Sequence, residues 1–144
     1  MTDFLLDRDP SPVVEFEDCA KEFDRTPALR GLTFSIPRGA VVGFVGRNGA
    51  GKSTAIRCLV GLQQPTRGTV RLFGEDPWTL EPSTKQRLGY LSETEIPFPW
   101  ATTNELIRFC QPLYPNWDEA LAAKIVERYR LDPKKKLPGT EEAS

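Results

Sequence analysis

The chain has 144 residues, 19 Lys and Arg against 20 Asp and Glu, a net charge of -1 and no histidine. That length suits one domain or a large part of one. The balanced charge excludes the basic footprint of a nucleic-acid binder. The missing histidine excludes imidazole acid–base catalysis, His-based triads and His-ligated metals.

Residues 1–12 carry three Asp and two Pro and read as a loose leader; MTDFLLDRDP is acidic and does not match a secretion signal. Val13 to Glu17 alternates weakly as a strand, and Leu32 to Ile36 alternates Leu, Phe and Ile with Thr and Ser. Pro37-Arg38-Gly39 is a turn. Ala40 to Val45, AVVGFV, is almost continuously apolar and predicts a strand covered on both faces. A glycine-rich loop follows, then a helix over Lys52 to Leu62 with apolar residues at Ile56, Leu59 and Val60. Thr69 to Phe73 and the short Leu88 to Leu91 predict two more strands. The second half turns helical, over Thr102 to Leu113 and Asp118 to Leu131. In the latter, Leu121, Ile125, Val126 and Tyr129 form one stripe. Residues 138–144 form a polar tail. No apolar run approaches the ~20 residues that cross a bilayer. Cys19, Cys58 and Cys110 are scattered and read as free thiols of a reducing compartment. Solubility and a cytoplasmic location are the expectation.

The chemistry concentrates in Gly46-Arg47-Asn48-Gly49-Ala50-Gly51-Lys52-Ser53-Thr54, which fits GxxxxGK[ST], the Walker A loop, between a buried strand and a helix. Glycines let the backbone fold closely around an anion, successive N–H groups form a nest, and the helix adds its positive end. Lys52 supplies a point charge for the β- and γ-phosphates of ATP, and Ser53 a hydroxyl for Mg²⁺. GTPases also need NKxD and DxxG, and neither occurs in this chain. A small P-loop nucleotide kinase is an alternative, although the segment after Gly74, which carries Arg87 and Arg108, has no cluster of Arg to form its phosphate-clamping lid. A non-catalytic nucleotide-binding remnant is another.

Leu32 to Gly74 resembles the ATP-binding subunit of an ABC transporter, through the PRG turn, the Walker A loop, LVGLQQPTRG and GTVRLFG. RLGYLSE, Arg87 to Glu93, resembles the approach to that family's Q-loop, and LYPNWD resembles a segment of its bacterial exporter subunits. The pattern covers roughly residues 13–137. The resemblance implies an α/β fold. It has a P-loop NTPase core of ABC ATPase type, N-terminal antiparallel strands and the start of a helical subdomain, C-terminally truncated. It divides the chain into a β subdomain and nucleotide core over 13–95 and a partial helical subdomain over 96–137.

The resemblance also implies site roles. Phe23 takes the place of the aromatic that stacks on adenine, and a core Phe is the plainer reading. Glu93 stands where Gln is usual and would touch Mg²⁺ or the attacking water; a solvated loop Glu is the plainer reading. Phe98 and Trp100, among prolines, fall where the family receives a helix of its transmembrane subunit, or else they cap the helical region. Trp78 and Trp117 read as packing residues. The implied partners are a transmembrane transporter subunit and a second ATP-binding subunit, head to tail, on the inner face of the membrane. The SGGQ-like signature, the Walker B strand with its Asp-Glu and the switch His do not occur in this chain. The expectation is phosphate cradling without water activation, and an AVVGFV strand lacking its sheet neighbours.

Overall fold

The structure is a computed structural model and describes residues 11–92, 98 and 100–136. It forms two compact units, one up to Leu88 and the other from Gly89.

The first unit is built on three antiparallel strands in the order β2-β1-β3: β1 is Val14–Phe23, β2 is Thr26–Ile36 and β3 is Arg67–Leu72. Central β1 pairs Phe16 with Phe34 of β2 on one side and with Val70 of β3 on the other. Its inward residues change phase along the strand. Val14 and Phe16 are buried at even positions, then Cys19 and Ala20. The cause is a bulge between Phe16 and Cys19, where Asp18 adopts φ 45° and its N–H donates to Thr33 Oγ1 at 2.9 Å. An inserted residue of this kind bends the strand and re-aims the side chains beyond it. Both strands run further than their apolar alternation predicts, because their outer ends pair through backbone groups and leave polar side chains to solvent.

Helix α1, Lys52–Leu59, packs on the sheet through Ala55 and Cys58, three residues apart and therefore on one face. With Val14, Phe16, Cys19, Leu29, Val70, Leu72 and Leu80 they make the core. Burying a ring such as Phe16 contributes roughly 1.5–3 kcal/mol. A 3-10 turn at Pro77–Thr79, capped by Asp76, and a short helix α2 at Pro82–Lys85 close this unit.

Residues 40–45 depart from expectation. The segment is extended, but among the described residues it has no ladder partner, so it is not a regular strand. Val41 and Val45 are 101% and 95% exposed, while Phe44 leans toward Phe34 with ring centroids 5.9 Å apart. The predicted strand at Leu88 to Leu91 is likewise unpaired among the described residues. A strand needs a neighbour to satisfy its backbone, and apolar sequence alone supplies none.

The second unit holds α3, Thr103–Cys110, continued by a 3-10 turn at Gln111–Leu113, and α4, Glu119–Arg128. A reciprocal capping box starts α3: Thr102 Oγ1 accepts from Glu105 N–H, and the Glu105 carboxylate accepts from Thr102 N–H at 2.7 Å. Asp118 caps α4 by accepting from Leu121 N–H at 2.8 Å. The stripe on α4 forms as predicted, and among the described residues nothing covers it: Leu121, Ile125 and Tyr129 are all exposed.

Candidate functional site

The loop from Gly46 to Gly51 leads into the N-terminus of α1. Gly51 caps that helix with φ 85°, and the cap carries no side-chain hydrogen bond. No acidic residue lies in the helix's first turn, so its N–H groups and positive end remain available to an anion. The loop holds its shape through Ala50 N–H to Arg47 O at 3.1 Å and Ala55 N–H to Gly51 O at 2.8 Å. Lys52 folds back over it: Nζ donates to the carbonyls of Gly46 at 2.6 Å and Arg47 at 2.9 Å. The ammonium therefore stands over the concave side of the loop, where the β- and γ-phosphates of a bound nucleotide would lie.

Gly51 is required by packing as well as by its left-handed conformation. A Cβ there would come 2.2 Å from the Ala28 carbonyl and 2.8 Å from Leu29 Cδ2. Strand β2 thus sets the position of the loop. Between them lies a groove of about 360 Å³, lined by residues 27–32 with Gly49 and Ala50. The donor set, a run of backbone N–H groups, one primary ammonium and the hydroxyls of Ser53 and Thr54 in the first helical turn, fits a polyphosphate with a magnesium ion. Ser53 is exposed and Thr54 half-buried.

Phe23, at the end of β1, is 42% exposed with Lys21 Nζ 5.1 Å from its ring centroid, and it is not among the residues lining the groove. Glu93 lies outside the described residues. In the second unit Phe98 packs edge-on against Phe109 at 5.0 Å and Trp100 at 5.6 Å, and Trp100 is 67% exposed. Trp78 is half exposed, more open than a packing residue. Trp117 keeps Nε1 buried with no hydrogen-bond partner among the described residues. Sequence reasoning missed the contact of Ala28 and Leu29 with the loop. Nothing in PALRG marks them, since the contact is made by backbone across the fold.

A sequence model described as ABC transporter matches residues 29–143, most of the chain. The chain belongs to the ABC transporter family. It is 41% identical over 71 residues to the methionine import ATP-binding protein MetN of Brucella abortus (strain 2308), covering 49% of this chain and 19% of that protein. It is 43% identical over 82 residues to the daunorubicin/doxorubicin resistance ATP-binding protein DrrA of Streptomyces peucetius, covering 57% of this chain and 24% of that one. A solved ATP binding subunit of an ABC transporter superposes with TM-score 0.68 at 26% identity, over 87% of this chain and 53% of that chain. The matched stretch thus spans about a fifth to a quarter of the curated relatives. These matches place it with the ATP-binding component of the family, and they do not favour the nucleotide kinase or the remnant. Among the described residues no helix is long and apolar enough to cross a membrane.

Proposed function

We propose that this chain provides the nucleotide-gripping part of an ABC transporter ATP-binding subunit and binds Mg-ATP through the Walker A loop. The observation that carries the reading is the placement of Lys52 Nζ over the loop carbonyls at an uncapped helix N-terminus. With ATP bound, the ammonium would serve the β- and γ-phosphates in place of those carbonyls, the loop N–H groups would hold the remaining oxygens, and the Ser53 hydroxyl would ligate Mg²⁺. Gly46, Arg47, Asn48, Gly49, Ala50, Gly51 and Thr54 complete the cradle. By the family resemblance Phe23 would stack on the adenine and Glu93 would take the role of the Q-loop residue.

With no signature tetrapeptide, Walker B carboxylates or switch His in its 144 residues, the chain alone binds nucleotide weakly and does not turn it over. In the transporter it works peripherally on the cytoplasmic face, against a transmembrane subunit and a second ATP-binding subunit arranged head to tail. The exposed Trp100 and its ring neighbours suit the transmembrane contact. The 13–95 and 96–137 division corresponds to core and helical subdomain.

Isothermal titration of the full chain with Mg-ATP tests the first claim. Binding heat is expected, with affinity reduced at least about tenfold by Lys52→Ala, equivalent to ~1.4 kcal/mol. No heat from demonstrably folded protein would overturn it. The second claim fails if the lone chain releases phosphate and Lys52→Ala stops the release.

A further inference from the structure

Between the end of α1, strand β3 and the 3-10 turn lies a cavity of about 320 Å³, which shares no residue with the groove beside the phosphate loop. That volume falls at the small end of ligand pockets, roughly 300–1,000 Å³. Gln63 and Gln64 after α1, Arg71 on β3, and Asp76, Pro77 and Trp78 at the turn line it. Backbone contacts set its walls. Gly61 has φ 73°, and a Cβ there would collide with the Pro77 carbonyl, so the turn presses on the chain leaving α1. Gly68 has φ 78°, and a Cβ there would collide with the Asp18 carbonyl, so the start of β3 presses on the bulge of β1. Walls fixed in this way leave little to order when a ligand enters.

The lining combines charges, amides and one indole. The Arg71 guanidinium donates to the Gly74 carbonyl at 3.3 Å and keeps further N–H groups. Asp76 Oδ1 accepts from Trp78 N–H at 2.9 Å, and the carboxylate has lone pairs for more donors. One cation and one anion leave the lining neutral. Gln63 Oε1 is sealed from solvent and has no hydrogen-bond partner among the described residues. An unpaired buried acceptor is costly, and the terminal torsion of Gln is soft, so the amide can turn to a donor placed in the cavity. Trp78 is half exposed, and the negative face of its ring attracts C–H groups.

These features discriminate between ligands. A polyphosphate is repelled by Asp76, and a simple cation by Arg71. An apolar molecule strands both charges and both amides. A zwitterion matches the charges and leaves the amides idle. Hydroxyl groups donate and accept, so a ring of them serves amide, carboxylate and guanidinium together. We propose that this cavity binds a neutral monosaccharide. Gln63 and Asp76 accept from its hydroxyls, Arg71 donates to them, and the C–H face of the sugar ring lies on Trp78. The proposal does not depend on nucleotide binding.

The test titrates the full isotope-labelled chain, without nucleotide, with a panel of aldohexoses and aldopentoses, followed by NMR. At least one sugar should shift the Trp78 indole and Gln63 amide resonances saturably, with Kd on the order of 1 mM. Gln63→Leu keeps the bulk and removes the acceptor, and affinity should fall at least about tenfold. Because that acceptor is unpaired in the protein alone, the melting temperature should not fall, which separates lost binding from lost folding. Trp78→Ala should abolish the sugar-induced shift of the Gln63 amide. No saturable shift with any sugar, up to roughly a hundred times that Kd, would overturn the proposal. So would binding indifferent to either variant, or a response to free amino acids in place of sugars.

Discussion

The α-carbon of Gly51 sits so close to the Ala28 carbonyl that a methyl group on it would lie 2.2 Å from that oxygen. Strand β2 and the phosphate loop are in backbone contact, so the sheet acts as a template for the anion site. Gly49 provides the contrast: it has φ 80°, yet a Cβ there meets nothing within 4 Å. Gly49→Ala should cost only the left-handed penalty, roughly 1–2 kcal/mol. Gly51→Ala adds a backbone clash to the same penalty. It should lower the melting temperature further and remove Mg-ATP binding. Equal melting temperatures for the two variants would show that the contact with Ala28 does not hold the loop.

Phe23 offers a ring face and no hydrogen-bonding group. If it lies on adenine, Phe23→Ala should weaken ATP binding by about 1–3 kcal/mol, the range of aromatic stacking on a base. Phe23→Trp should preserve affinity, and inorganic triphosphate should bind both variants equally. Titration calorimetry with ATP and with triphosphate distinguishes stacking from a purely structural loss, which would weaken both.

Cys19 and Cys58 lie in the core, and burial pushes both thiols up. Cys19 rises from its ordinary 9.0 to about 11, first by burial and then through the neighbouring Cys58. A thiol held neutral by the fold contributes stability below its unfolded value, and the contribution disappears as pH rises through the folded one. Denaturant midpoints should therefore hold up to about pH 9 and decline toward pH 11. Cys19→Ala should have a shallower alkaline decline than the parent. At neutral pH a thiol reagent should promptly modify Cys110, which is half-buried, and reach the other two only on unfolding.

Glu105 is held below the usual carboxylate range, first by the Thr102 N–H and then by the Thr102 hydroxyl. A lowered carboxylate contributes above its unfolded value and loses that contribution as pH falls. The second unit should therefore weaken on acidification, and Glu105→Gln should flatten that limb. Thr102→Ala removes the hydroxyl half of the capping box and should cost about 1 kcal/mol. Trp100 and Trp117 fluorescence during urea unfolding reports both effects.

The Walker A loop, α1 and the helical second half were legible because each has a local cause: glycine spacing, helix-start residues such as Thr102 and Asp118, and 3.6-residue periodicity. The full lengths of β1 and β2 were not legible. The bulge at Asp18 breaks the alternation, and residues such as Lys21 and Arg30 are polar on the solvent side. AVVGFV shows the limit of composition. Its residues specify burial on two faces, but a ladder also needs a partner, and no residue within 40–45 can encode one. The stripe on α4 is similar: spacing identified the face and could not say whether anything covers it. Phe23 and Glu93 came from family resemblance; Phe23 does not line the groove beside the loop, and Glu93 lies outside the described residues.

The grip of Lys52 on its own loop has a thermodynamic consequence. The carbonyls of Gly46 and Arg47 already hold the cation in place, so an arriving phosphate displaces one set of oxygen partners with another. Little chain has to be ordered at that moment. The heat-capacity change of nucleotide uptake should accordingly be small, as for a rigid receptor and unlike a segment that folds around its ligand.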